Sequence, residues 1–360
     1  MADTPNNSST QQIILSREPL VAGVPLGSLD GGTTPVEQFF VRNHFQIPSM
    51  DTAIWHLEID GEVENSLSLG YDELKQLPAQ ELPVLLECAG NSRSAVQPPI
   101  EGLMWDHSGV SSARWKGVPV REVLDRAGVK ASAREVRFEG ADQGLEYGSS
   151  GPTRFAMSLP LEKALDDDTL LAYEINGKTL TPEHGYPLRL LVPGWFGMAS
   201  VKWLTRISAL DYPFQGYHQS SYYVFLDEGK DDGAPKERVT SMRVKSLITW
   251  PRRGEVLEPG VHQVRGVAWS GHGPVDRLEV TTDGGQSWHP ADLGKLDSPY
   301  SWRTWEFRWE AREAGHYLIR ARATDAAGNV QPVQARWNFR GFANNSIHAV
   351  PVIVQSTPAS

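Results

Sequence analysis

The sequence holds one cysteine in 360 residues, Cys88. A single thiol excludes an intramolecular disulfide framework and fits a reducing compartment. It also rules out an iron–sulfur cluster or a c-type haem built from this chain alone. No stretch approaches the roughly eighteen apolar residues that a spanning helix needs. Positive charge is in deficit: 34 Lys and Arg stand against 44 Asp and Glu, a net −10. That balance argues against non-specific binding to nucleic acid or to an anionic membrane. Three familiar constellations are missing as well: the His-Glu-x-x-His zinc helix, the Gly-x-Gly-x-x-Gly turn and the Gly-x-Ser-x-Gly elbow. Gly177-Lys178-Thr179 imitates the end of a P-loop, but Ala172 stands where its first glycine belongs, so the triplet reads as a hairpin turn.

What is present is an ordinary soluble composition, long enough for two domains with sizeable cores. Met1 to Thr10 is polar and lacks the basic and apolar regions of a secretory signal. It reads as the start of a disordered tail over residues 1–20 of a cytoplasmic protein, or of a periplasmic one had a leader been removed. Trp55 to Gly61 alternates as a half-buried strand, and Leu82 to Leu86 is an apolar run typical of a buried one. Val118 to Gly128 predicts a helix, with Val120, Val123, Leu124 and Ala127 on one face, Pro119 at its start and Gly128 past its end. Helical turns are expected at Tyr71–Leu74 and Leu161–Leu165, strands at Val136–Asp142 and Leu188–Val192, and an Asn-Gly hairpin at Asn176-Gly177. The acidic, Gly-containing run Asp227 to Pro235 marks a domain boundary. Beyond it, short alternating runs at Val261–Val267, Leu278–Thr282, Tyr317–Ala323 and Ala335–Phe339 predict an all-β sandwich. Seven of the 12 tryptophans lie there, more than a small core is expected to hide, which points some of them to an interface.

Chemistry concentrates around Cys88. A thiolate suits a soft or high-valent metal rather than calcium or magnesium, and Ala89 and Gly90 after it allow a tight turn. Four blocks carry a resemblance: Cys88-Ala89-Gly90-Asn91-Ser92-Arg93, Phe40-Val41-Arg42-Asn43-His44, His184-Gly185-Tyr186-Pro187-Leu188-Arg189 and Val201-Lys202-Trp203-Leu204. In type and order they resemble the conserved blocks of the sulfite oxidase family of molybdenum enzymes, bacterial haem-free type. The second half, closing with Trp337-Asn338-Phe339-Arg340-Gly341, is similar to that family's dimerisation domain.

The resemblance implies an α+β architecture: a mixed α/β molybdopterin-binding domain over residues 21–230, then an immunoglobulin-like dimerisation domain over 231–360. It implies molybdenum–molybdopterin without haem, Cys88 as metal ligand, and dithiolene and oxo groups as the remaining ligands. Phe40, Val41, Arg42, Asn43, His44, Asp142, His184, Arg189, Ser200, Val201 and Lys202 match positions that hold the pterin and its phosphate. Arg42, Arg93, Trp105, Tyr223 and Arg340 match the substrate pocket. Tyr222 adjoins Tyr223 and competes for its placement, and Ser92 stands where many relatives have a second arginine. The implied activity is oxidation of sulfite to sulfate, with electrons leaving to a separate acceptor such as a cytochrome, in a homodimer. Nitrate or S-/N-oxide reduction at the same centre is the alternative, and a non-enzymatic scaffold a second. A net negative protein still binds a dianion if guanidiniums converge on it: one charge pair at about 4 Å and an effective dielectric near 20 is worth ~4 kcal/mol, whereas scattered surface charge is screened beyond about 8 Å.

Overall fold

The computed structural model describes residues 11–147, 149–226 and 236–356. The polar start, Met1 to Thr10, and the boundary run Asp227 to Pro235 lie outside the described residues. The stretch read as a tail is ordered at its end: Ile13–Arg17 pairs with Leu20–Gly23, which pairs with Val41–Arg42 in a three-stranded sheet. Leu20–Gly23, between its two partners, is the buried strand of the three, with Val21 and Ala22 covered on opposite faces.

Two larger sheets follow. One runs Lys178–Thr179, Leu170–Ile175, Val110–Pro119, Gln80–Glu87, with Arg189–Leu191 also on Leu170–Ile175. The other runs Leu67–Gly70, His56–Gly61, Leu204–Leu210, Glu135–Gly144, Thr153–Pro160. Among the described residues three short α-helices accompany them, Tyr71–Lys75, Val120–Ala127 and Leu161–Ala164, so this half is sheet-dominated rather than evenly mixed. Val120–Ala127 forms where its sequence predicts: the four apolar residues are buried, and Gly128 ends it at φ 71°. The hairpin turn at Asn176-Gly177 takes positive φ at both residues, which an Asn-Gly pair tolerates.

From Lys245 onward two sheets face each other across one apolar core. Lys245–Trp250, Gly260–Trp269, Arg303–Ala311 and Asp292–Leu293 form the first. Val256–Leu257, His348–Val354, Gly315–Asp325, Val275–Thr281 and His289–Pro290 form the second. Two expectations change here. Ala335–Phe339 is not a strand: Trp337 Nε1 donates to the Pro98 carbonyl at 3.1 Å and Phe339 N to the Leu226 carbonyl at 2.8 Å, so the segment crosses to the first half. The tryptophans are better hidden than their number implied, because Trp269, Trp302, Trp305 and Trp309 are all buried within the chain. Trp269 and Trp302 pack into the first half's core and Trp305 and Trp309 into the sandwich, so two cores share the load.

Candidate functional site

The strand Gln80–Glu87 is buried at its end, and Cys88 is the first residue past it, 8% exposed. Cys88 N donates to the Gly109 carbonyl at 2.8 Å, and Asn91 N donates back to the Cys88 carbonyl at 2.9 Å, closing the turn. Gly90 leaves room for Arg93, since a Cβ there would lie 2.6 Å from its Nη2 and the guanidinium would have to shift. Burial pushes the Cys88 thiol up, opposed by Arg42, a backbone hydrogen bond from Gly90 and Arg93. A metal at the sulfur would displace that proton outright.

The thiol opens on a cleft walled by residues from several separate segments. Its wall carries Phe40, Arg42, Asn43 and His44 from one segment and Asp142 from Glu135–Gly144. His184, Arg189, Ser200, Val201, Lys202 and Tyr223 also line it. Val41 alone of the expected cofactor set lies behind the wall, 3% exposed and paired with Ala22.

The cations in this wall are under-compensated. Arg189, 5% exposed, donates to the carbonyls of His184 at 3.1 Å and Ser200 at 3.2 Å, and its guanidinium lies 4.9 Å from the Trp115 ring. Lys202 donates to the Glu183 carbonyl at 2.9 Å and to Asn43 Oδ1. Among the described residues no carboxylate forms an ion pair with Arg42, Arg189 or Lys202. Burial lowers Arg189 to about 9; burial and then Arg189 pull Lys202 well below the ordinary lysine value. Burial also lowers His184 to about 4, and its Nε2 donates to the Val36 carbonyl at 3.1 Å. Asp142 is raised to about 7 by burial, against the pull of Lys202. Two buried polar atoms in the wall, Asn43 Nδ2 and Asp142 Oδ1, have no partner.

The substrate-side residues are divided. Tyr223 lines the cleft, and its hydroxyl donates to His44 Nε2 at 2.7 Å; burial raises Tyr223 far above the ordinary phenol value and holds His44 low, so this phenol is the proton donor. Tyr222, its neighbour, stays outside the wall, 4.6 Å from the Arg340 guanidinium. Arg93 lies across Gly90, its Nη1 on the Leu103 carbonyl at 2.6 Å and its Nε on the Arg340 carbonyl at 2.9 Å. Trp105 is fully buried, edge-on to Phe40 at 6.3 Å, with Nε1 unpartnered. Neither Arg93, Trp105 nor Arg340 forms part of the cleft wall. Sequence reasoning missed Phe39, Phe155, Glu183, Met198 and Trp203, which also line it. Glu183 and Trp203 adjoin expected residues; Phe155 had no local signal, being one apolar residue in an ordinary strand.

The residues fit a pterin-bound metal. Among the described residues no group of three or more His, Cys, Asp or Glu converges on one point, so a metal at Cys88 must arrive with other ligands of its own. Phosphate would offset Arg189 and Lys202, and a heterocycle with donors and acceptors would satisfy Asp142 Oδ1 and Asn43 Nδ2.

Comparison with known proteins is consistent with this. Residues 44–218 match the oxidoreductase molybdopterin binding domain and 236–355 the Mo-co oxidoreductase dimerisation domain. The chain is 36% identical to mitochondrial sulfite oxidase of Drosophila melanogaster, over 94% of this chain and 62% of that one. It is 36% identical to sulfite oxidase of Gallus gallus, over 88% of this chain and 72% of that one. An NADH nitrate reductase of Brassica napus is 33% identical over 94% of this chain and 41% of its own. The chain thus spans only about three fifths of the length of the mitochondrial sulfite oxidases it matches. Among solved structures, the sulfane dehydrogenase SoxCD from Paracoccus pantotrophus superposes with TM-score 0.81 at 28% identity, covering 96% of this chain and 90% of that one.

Proposed function

This chain belongs to the sulfite oxidase family of molybdopterin-dependent oxidoreductases, and we propose that it oxidises sulfite to sulfate. The observation that carries the reading is the buried Cys88 thiol opening on a cleft walled by three cations, Arg42, Arg189 and Lys202. Molybdopterin, when bound, supplies the two-electron redox chemistry and oxygen-atom transfer. The chain's own residues do the rest. Cys88 would ligate the metal; Phe40, Arg42, Asn43, His44, Asp142, His184, Arg189, Ser200, Val201 and Lys202 would hold the pterin and its phosphate, with Val41 backing them from behind the wall. Arg42, in the cleft wall, draws the oxyanion in and offsets its charge, a pair worth ~4 kcal/mol before desolvation at about 4 Å and an effective dielectric near 20, while Arg93 adds positive potential from behind the wall. Tyr223 presents its hydroxyl proton to the oxyanion or to His44, and Trp105 and Arg340 shape the ground behind. Ser92 weakens the case for sulfite against the alternative, nitrate or S-/N-oxide reduction: its hydroxyl meets His107 Nδ1 at 2.7 Å and supplies no charge where many relatives have a second arginine.

In this reading the domains are 21–230 and 231–360, the second an immunoglobulin-like sandwich through which a cytoplasmic homodimer forms. Electrons leave singly to a separate acceptor such as a cytochrome. Among the described residues no helix is long and apolar enough to cross a membrane. The test is metal analysis of purified protein, coupled to side-by-side assays of sulfite-dependent reduction of an artificial acceptor and of nitrate reduction. Molybdenum with sulfite turnover is expected. Molybdenum with nitrate turnover alone overturns the substrate, and protein devoid of molybdenum overturns the whole reading.

A further inference from the structure

The loop that carries Cys88 is held from the far half of the chain. Glu87, 2% exposed, ends a strand otherwise closed by Val84, Leu85 and Leu86. Its carboxylate receives Lys245 Nζ at 2.8 Å on one oxygen and Trp269 Nε1 at 2.9 Å on the other. Asn91 Nδ2 adds a third bond to the same carboxylate at 3.0 Å, closing the loop on itself. Lys245, also 2% exposed, and Trp269 belong to adjacent strands of the C-terminal sandwich. Three more bonds come from the segment 340–344. Ala343 N donates to the Ala89 carbonyl at 2.8 Å, and Asn344 Nδ2 donates to the Ser92 carbonyl at 2.7 Å. Arg93 Nε donates in the other direction, to the Arg340 carbonyl at 2.9 Å.

We propose that Lys245, Trp269 and the 340–344 segment are positioning residues for the Cys88 thiol, so that the C-terminal domain is part of the catalytic unit as well as a dimerisation module. The inference rests on Cys88 being the metal ligand. A fully buried ion pair is a poor way to glue two domains, because desolvation cancels most of the attraction and well-packed apolar side chains serve as well or better. What the pair adds is direction. Lys245 and the Trp269 N–H fix both oxygens of the residue immediately before the thiol, and the 340–344 bonds fix the carbonyls on its other side. Apolar packing would hold the domains together without fixing the direction of the Glu87 carboxylate or of the carbonyls beyond the thiol.

The test compares Lys245→Met in the full chain with Val280→Ala, a cavity in the sandwich core that touches nothing in the loop and is chosen to cost similar thermal stability. Three readouts separate positioning from folding: the kcat-against-KM split, the paramagnetic resonance of the one-electron-reduced metal in the loaded enzyme, and the rate at which iodoacetamide alkylates Cys88 in the cofactor-free chain. Lys245→Met should lower kcat at least tenfold with KM within twofold, alter the resonance, and speed alkylation at least tenfold; Val280→Ala should leave all three as in the parent. Equal behaviour of the two variants overturns the proposal. Should Lys245→Met fail to fold, Trp269→Phe removes one bond to Glu87 with little loss of volume and is read the same way. Cys88→Ser separates the premise: a loaded Cys88→Ser protein with an unchanged resonance overturns the ligand reading itself, and the proposal with it.

Discussion

At the scale of single residues, charge without a counter-charge organises the site. Arg42 lines the cleft, while Arg340 lies outside it, its Nη2 3.4 Å from the Ser221 carbonyl and its guanidinium over Tyr222. Both matched the family's substrate arginines in sequence, but their placements predict unequal effects. A hydrogen bond to a charged group is worth about 1.5–3 kcal/mol, so Arg42→Met should raise KM for sulfite by about 10- to 100-fold. Arg340→Gln should raise it by less, because its charge acts from behind Arg93 and Tyr222. Steady-state kinetics on the two variants check the order, and an Arg340 effect equal to or larger than that of Arg42 refutes it. Residue types at this scale were legible in the sequence. Their distances from the cleft were not, because the sequence does not say which guanidiniums carbonyl oxygens such as those of Leu103 and Ser221 hold back.

At the scale of elements, local chemistry was legible wherever the deciding contact is local. The Val120–Ala127 helix carries its stop signal within its own turn, and the Asn176-Gly177 hairpin its own positive φ. Legibility fails where the deciding contact is distant. Ala335–Phe339 alternates like a strand, yet its bonding partners are Pro98 and Leu226. Gly117 gives no signal of its own, though it lies mid-strand in Val110–Pro119 against the backbone of Leu170–Ile175. A Cβ there would lie 2.3 Å from the Leu171 carbonyl oxygen and 2.7 Å from the Ala172 Cα. Neither atom can swing aside as a side chain end would. Gly117→Ala should therefore cost about 1–3 kcal/mol, an overpacking penalty, read as a lower urea midpoint at unchanged slope. Tolerance within 0.5 kcal/mol would mean that the two strands spread without loss.

For the whole molecule, the buried histidines set how stability responds to acid. His184, His218 and His348 are each lowered to about 4, chiefly by burial, and His44 and His107 are held well below 6.5 for the same first reason. All five stay neutral in the folded chain at pH values where the unfolded chain protonates them. Stability is therefore intact above about 6.5, falls as pH drops from there toward 4, and levels off once the folded histidines also take protons. Asp142 works the other way: raised to about 7, it holds a proton in the folded state that the unfolded state has released, so its contribution grows as pH falls over the same window. Each fully displaced proton changes stability by about 1.4 kcal/mol per pH unit. Glu146, also raised by burial and 2.9 Å from His218 Nδ1, opposes them as Asp142 does, and five histidines against these two carboxyls still leave a net loss on acidification. Denaturant melts of the cofactor-free chain at pH 7.0, 6.0 and 5.0 should show the unfolding free energy falling at each step. The slope should steepen when Asp142→Asn removes one opposing group, and a flat profile would mean that these imidazoles reach water in the folded protein.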